Sequence, residues 1–335
     1  MTLTDPRTGA TAAAAVDMST TLAGVTFPNP VFTASGCAAA GRELNQFFDV
    51  ADLGGVVTKS VMREPRTGRP TPRMAETPSG MLNSIGLQGP GIDAFLAKDL
   101  PWLADHDARA VVSIAGSSVD EYAALARKLR GAPGLSLLEV NISCPNVEDR
   151  GKVFACNAVA AAEVIRAVRR ETRTPIFAKL SPDVTDIVAI AESVVDAGAH
   201  GLSMINTLLG MVVDTDTLRP VLAGLTGGLS GPAIRPVAVR AVWQVHAAMP
   251  QVPILGMGGI RSGLDALQFL AAGASAVSVG TAVFGDPGAP MRVLDELREA
   301  LAERGYSSVR DVIGLAHRPA VAEVTETPDP PGGPA

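Results

Sequence analysis

Past Met18 the chain alternates short apolar runs of β character with segments whose apolar positions recur every three or four residues. The runs fall at 31–33, 55–58, 110–114, 135–141, 176–180, 201–205, 252–257 and 276–279, eight in all. Helical spacing is clearest at Ile187, Ile190, Ala191, Val194 and Val195, closed by Gly198 as a left-handed stop. Further helical segments are expected at 119–129, 158–170, 233–248, 264–271 and 291–303. Alternation of this kind implies parallel strands joined by helical crossovers. Eight such units predict an α/β fold, a closed (β/α)8 TIM barrel over 19–317, with two longer insertions, 61–90 and 206–230, capping the C-terminal face of the strands. A doubly wound open sheet is the weaker alternative, because no Gly-x-Gly-x-x-Gly follows the first strand and Gly256-Met257-Gly258-Gly259 comes far too late.

Composition narrows the partners. The 335 residues are 47% hydrophobic and 19% charged, enough for a sizeable core. A net charge of -6, no basic run and only 4% aromatic residues argue against nucleic-acid binding. Residues 1–18 lack a cationic start and a long apolar core, so they read as a disordered leader rather than a signal peptide or membrane span. The Pro- and Gly-rich stretch 318–335 reads as a disordered tail. Cys37, Cys144 and Cys156 form no disulfide framework and show no metal-site or cluster spacing, which points to a reducing, cytoplasmic setting.

The chemistry is expected where the strands finish. The fourth run leads into Asn141-Ile142-Ser143-Cys144-Pro145-Asn146, a loop that presents a thiol between two carboxamides. A lone cysteine is more often a small buried hydrophobe, but Asn141, Ser143 and Asn146 would be costly to bury beside an inert thiol. The other strand ends carry Ser35, Lys59-Ser60, Ser113, Lys179, Asn206-Thr207, Gly258-Gly259 and Gly280-Thr281. Each has a bland reading as a solvated lysine or an ordinary turn. Converging on one rim, they imply a ligand.

Residue types indicate its character. Gly258-Gly259 and Gly280-Thr281 follow strands seven and eight, where backbone N–H groups commonly hold a phosphate. Lys179 either places positive charge near a group that turns anionic, as the N1–C2=O edge of a reduced flavin does, or pairs with Glu139, which alternation directs toward the barrel interior with Asn141. His106, His200, His246 and His317 lie away from the strand ends, so metal-assisted hydrolysis and a Ser-His-Asp mechanism lack their parts. Cys144 is the conspicuous acid-base candidate.

From Thr26 to Ala316 the motifs resemble those of class 1 dihydroorotate dehydrogenases, most of all the class 1B, NAD-linked catalytic subunit. They include Ala34-Ser35-Gly36, Thr58-Lys59-Ser60, Asn83-Ser84-Ile85-Gly86-Leu87, the Asn141 to Asn146 loop, Ala178-Lys179-Leu180-Ser181-Pro182, Ile205 to Gly210, Gly227 to Pro232, Gly256 to Gly259 and Val279-Gly280-Thr281. The resemblance implies an FMN-binding barrel. By it, Cys144 is the catalytic base, and Lys59, Asn83, Ser84, Ile85, Gly86, Leu87, Asn141, Asn206 and Thr207 contact the substrate. The implied FMN contacts are Ser35, Lys59, Ser60, Asn141, Lys179, Ile205, Gly231, Gly258, Gly259, Gly280 and Thr281. Ser113 is counted with these FMN contacts, standing where the family usually has Asn, although its shorter hydroxyl reaches less far.

Also implied are oxidation of dihydroorotate to orotate in de novo pyrimidine synthesis, a homodimer, and a partner subunit carrying FAD and an iron-sulfur cluster that passes electrons to NAD. Membrane-bound class 2 enzymes instead use serine as base and carry a membrane-associating extension. Three alternatives stay open: a dihydropyrimidine dehydrogenase-like flavoenzyme, a non-redox phosphate-binding barrel, and a silent flavin-binding scaffold.

Overall fold

The computed structural model describes residues 16–143 and 157–319. Eight parallel strands, Val31–Thr33, Val56–Val57, Ala110–Ile114, Leu135–Asn141, Ile176–Lys179, Gly201–Met204, Ile254–Met257 and Ala276–Val279, form one sheet in chain order. It closes between the first and second strands, where the Thr33 N–H donates to Gly55 O at 3.2 Å and the Gly54 N–H to Val31 O at 2.8 Å. A closed sheet in chain order is a barrel, not a doubly wound open sheet.

Helices Val119–Leu129, Ala158–Glu171, Ile187–Asp196, Arg235–Ala248, Gly263–Ala271 and Ala289–Glu303 follow the third to eighth strands, close to their expected bounds. Ser118, Asn157, Asp186 and Ser262 start four of them by accepting backbone N–H groups of the first turn. The first two units differ from the simple pattern. Single turns at Leu44–Gln46 and Val50–Asp52 replace the first helix. A helical run through Ile92–Ala94, Phe95–Asp99 and Leu100–Asp105 follows the second strand, and sequence spacing does not reveal it. Pro101 reads as a breaker there, yet it sits at the start of the last segment, where its missing N–H costs little.

The lower barrel interior is apolar. Phe32, Val57, Val111, Leu137, Phe177 and Leu255 meet Leu22 and Phe27 of the hairpin Thr20–Leu22/Val25–Phe27. Phe27 and Phe32 stack edge to face with centroids 5.0 Å apart, so the hairpin plugs that end. The fold begins earlier than the expected leader boundary at 18. Val16 and Met18 are buried, and Asp17 exchanges backbone hydrogen bonds with Ser307 and Val309. Residues 1–15 and 320–335 lie outside the described residues.

The two insertions do cap the other end, and they do so jointly. Met74–Thr77 and Gly80–Asn83 from the first pair with Gly227–Ser230 and Leu208–Gly210 from the second, making one four-stranded antiparallel sheet. No described helix is long and apolar enough to cross a membrane.

Candidate active site

A cavity of about 980 Å³ lies at the C-terminal ends of the strands, bounded by both insertions. Ser35, Lys59, Ser60, Asn83, Ile85, Gly86, Leu87, Asn141, Lys179, Ile205, Asn206, Thr207, Gly231, Gly258, Gly259, Gly280 and Thr281 all line it. The convergence expected from strand order is therefore real. Cys144 falls outside the described residues, as does Cys156.

Two expected contacts sit behind the wall. Ser113 is fully buried and reaches the site only through Ser60, whose Oγ lies 2.9 Å from its own. It supports a lining residue instead of contacting the cavity. Ser84 is also buried, accepting from Arg69 Nη1 at 3.1 Å, while its neighbours Asn83 and Ile85 face the hollow.

Polar groups of the rim form a chain. Ser35 Oγ and Ser60 Oγ are 3.3 Å apart, and Asn141 Nδ2 donates to Ser60 Oγ at 2.9 Å. Asn141 Oδ1 accepts from Ser143 Oγ at 3.1 Å, and Asn206 Nδ2 donates to that same hydroxyl at 2.6 Å. Tyr122 OH holds the Asn141 carbonyl at 2.8 Å from below. Ser143 thus anchors the start of the cysteine loop between two carboxamides. Its place inside the motif is the signal that marks it, although no role was expected of it. Ser230, 2.8 Å from Thr281 through the two hydroxyls, and Ser278 also line the cavity without having been singled out. Ser278 lies two residues before Gly280, on the same inward parity.

Lys179 and Glu139 pair at 3.6 Å between Nζ and Oε1, both buried. This answers the alternative left open above: Lys179 lines the cavity and also faces Glu139. Lys59 Nζ lies over Gly36, 3.5 Å from where a Cβ would be. Cys37, half-buried, lines the same wall and feels both lysines. Burial pushes its thiol up to about 11, against the pull of the Lys179 and Lys59 ammonium groups.

A rim of lysines, carboxamides and glycine turns over a sealed apolar barrel has counterparts among known proteins. The family profile described as Dihydroorotate dehydrogenase matches residues 17–301. The chain belongs to the dihydroorotate dehydrogenase family. Among its relatives, dihydroorotate dehydrogenase B (NAD(+)), catalytic subunit, of Desulforudis audaxviator is 51% identical over 303 residues, covering 90% of this chain and 98% of the relative. The protein of the same name from Geotalea daltonii is 51% identical over 298 residues, 89% of this chain and 97% of that one. The crystal structure of the dihydroorotate dehydrogenase of Eimeria tenella, in complex with ferulenol, superposes with a TM-score of 0.75 at 26% identity, covering 90% of this chain and 89% of that one. The dihydroorotate dehydrogenase barrel is thus shared well beyond the close relatives.

Proposed function

We propose that this chain is the catalytic subunit of an NAD-linked dihydroorotate dehydrogenase, oxidising (S)-dihydroorotate to orotate in pyrimidine synthesis with FMN in the cavity. The observation that carries it is the pairing of family membership with a cavity whose wall fits a flavin phosphate. Gly258, Gly259, Gly280 and Thr281 follow strands seven and eight. At Gly259, φ is +79° and a Cβ would stand 2.6 Å from Gly231 O, so only glycine keeps this cradle open. Lys179 is a buried ammonium 3.6 Å from Glu139 Oε1, beyond hydrogen-bond distance, and Ser278 Oγ is buried without a hydrogen-bond partner among the described residues. Both suit an acceptor-rich ring system in the cavity.

Gly258, Gly259, Gly280 and Thr281 would hold the phosphate, and Ser35, Ser60, Asn141, Lys179, Ile205 and Gly231 the remainder of FMN. When bound, FMN supplies the acceptor for the hydride that leaves C6 of the substrate. The chain's own part is to bind, orient and deprotonate. Asn83, Asn141 and Asn206 both donate and accept, matching the alternating N–H and C=O edge of a pyrimidinedione. Lys59 offers a cation to the substrate carboxylate. Cys144 takes the proton from C5, and the hold of Asn141 and Asn206 on Ser143 fixes where its loop begins.

A partner subunit with FAD and an iron-sulfur cluster would carry the electrons to NAD, a reading supported by the relatives' designation as a catalytic subunit. A homodimer and a cytoplasmic location belong to the same reading. The test is anaerobic mixing of the yellow protein with dihydroorotate, following the visible flavin band. Bleaching by dihydroorotate but not dihydrouracil supports the assignment. Bleaching by dihydrouracil points to a dihydropyrimidine dehydrogenase-like enzyme, and a protein that takes up no FMN to a non-redox barrel.

A further inference from the structure

Glu139 is the group the proposed mechanism leaves unused. It lies one inward position below Asn141 on the fourth strand and is completely buried. Neither carboxylate oxygen has a hydrogen-bond partner among the described residues. Its only charged companion among the described residues is Lys179 Nζ at 3.6 Å, and that ammonium borders the cavity. On the neighbouring third strand Ser113 stands in register with Glu139, but its hydroxyl is engaged with Ser60 Oγ at 2.9 Å. A buried carboxylate in this state is costly, and a well-packed apolar side chain there would often be as stable. Packing alone does not account for it.

We propose that Glu139 is a positioning residue that sets how much of the Lys179 charge reaches the flavin. The inference rests on the FMN reading above. The carboxylate holds the ammonium from the barrel side and offsets its charge, so the cavity sees a tethered, partly neutralised cation rather than a free one. Reduced flavin carries negative charge at the edge such a cation would face. Glu139 therefore keeps the flavin potential lower than Lys179 alone would set it. That favours onward transfer of electrons once they arrive.

The experiment measures flavin midpoint potentials of wild type, Glu139→Gln, Lys179→Met and the double variant, each loaded with FMN. Removing the carboxylate charge should favour the reduced flavin by about tenfold or more, which is ~30 mV for a two-electron couple. Lys179→Met should move the potential the other way. Because Glu139 acts through that ammonium, adding Glu139→Gln on the Lys179→Met background should change little.

An unchanged potential in Glu139→Gln, even with a lowered melting temperature, would make Glu139 a structural residue and overturn the proposal. Should Glu139→Gln fail to fold, the double variant decides, because it removes both charges together. A folded double variant whose potential matches Lys179→Met supports the proposal. One that differs from it by more than tenfold in the flavin equilibrium, or that fails to fold where Lys179→Met folds, overturns it. Wild-type protein that binds no FMN overturns both this inference and the reading beneath it, whereas flavin binding with no response to Glu139→Gln overturns this inference alone.

Discussion

Asn141 Nδ2 at the end of the fourth strand donates to Ser60 Oγ beyond the second strand at 2.9 Å, spanning the third strand between them. That third strand joins in through Ser113, 2.9 Å from the same hydroxyl. Asn141→Ala strips partners from both Ser60 and Ser143, which should cost about 1–3 kcal/mol for buried groups left unpaired. Thermal unfolding and the dihydroorotate KM should worsen together. A variant with wild-type values for both would mean that the network is incidental.

Cys144→Ala should still bind FMN but reduce it roughly 10²–10⁴-fold more slowly, the usual range for loss of a general base. In the wild-type protein the rate should climb from neutral toward alkaline pH, because an ordinary thiol ionises near pH ~8.5. Stopped-flow bleaching measures both. Full speed in Cys144→Ala would remove the base assignment.

Cys37 should behave oppositely. With its thiol pushed up to about 11 by burial, it stays protonated through neutral pH. In a Cys144→Ser background, iodoacetamide followed by peptide mapping should leave Cys37 unmodified near pH 8 and label it only as the pH approaches that value. Rapid labelling at neutral pH would mean that the thiol is not held up.

Gly259→Ala should release the flavin. The added methyl meets Gly231 O at 2.6 Å and Arg235 Cβ at 3.0 Å, and the residue must also keep a positive φ, a strain of order 1–3 kcal/mol. Flavin titration should show at least about tenfold weaker binding, the factor equivalent to ~1.4 kcal/mol. Unaltered flavin affinity would place the phosphate elsewhere.

Acid should loosen the barrel through His200. Burial and then Arg169 hold its pKa below the ordinary 6.5, and its Nδ1 accepts the Ile176 N–H at 3.1 Å, which only the neutral ring can do. A histidine lowered in this way contributes stability that is complete above pH 6.5 and is lost as pH falls through the folded value. His200→Asn, whose carboxamide oxygen can accept the same N–H, should flatten the fall in melting temperature between neutral and mildly acidic pH. An unchanged slope would assign the acid response to other groups.

The barrel was legible because its strands are predominantly apolar runs, and the first, third, fourth and eighth are found at their expected bounds. The rim was legible because strand ends converge in this fold, whatever the identity of each residue. Pairings between distant segments were not. Asn83 and Gly228 lie opposite each other in the cap, but strands of three or four residues with glycine in them carry no alternation to read. The Tyr122 and Ser143 contacts to Asn141 were hidden for another reason. Nothing in a local pattern says which helix tyrosine lies beneath which strand end.

The cap sheet has a consequence for anyone who would change what this pocket accepts. Its middle pair joins Gly80–Asn83 to Gly227–Ser230, segments entering the structure after the second and sixth strands. Exchanging either insertion for that of a relative would bring a strand cut to fit a different neighbour, exposing unpaired backbone at the mouth. New specificities grafted onto this scaffold should therefore travel as matched pairs of segments, selected together rather than one at a time.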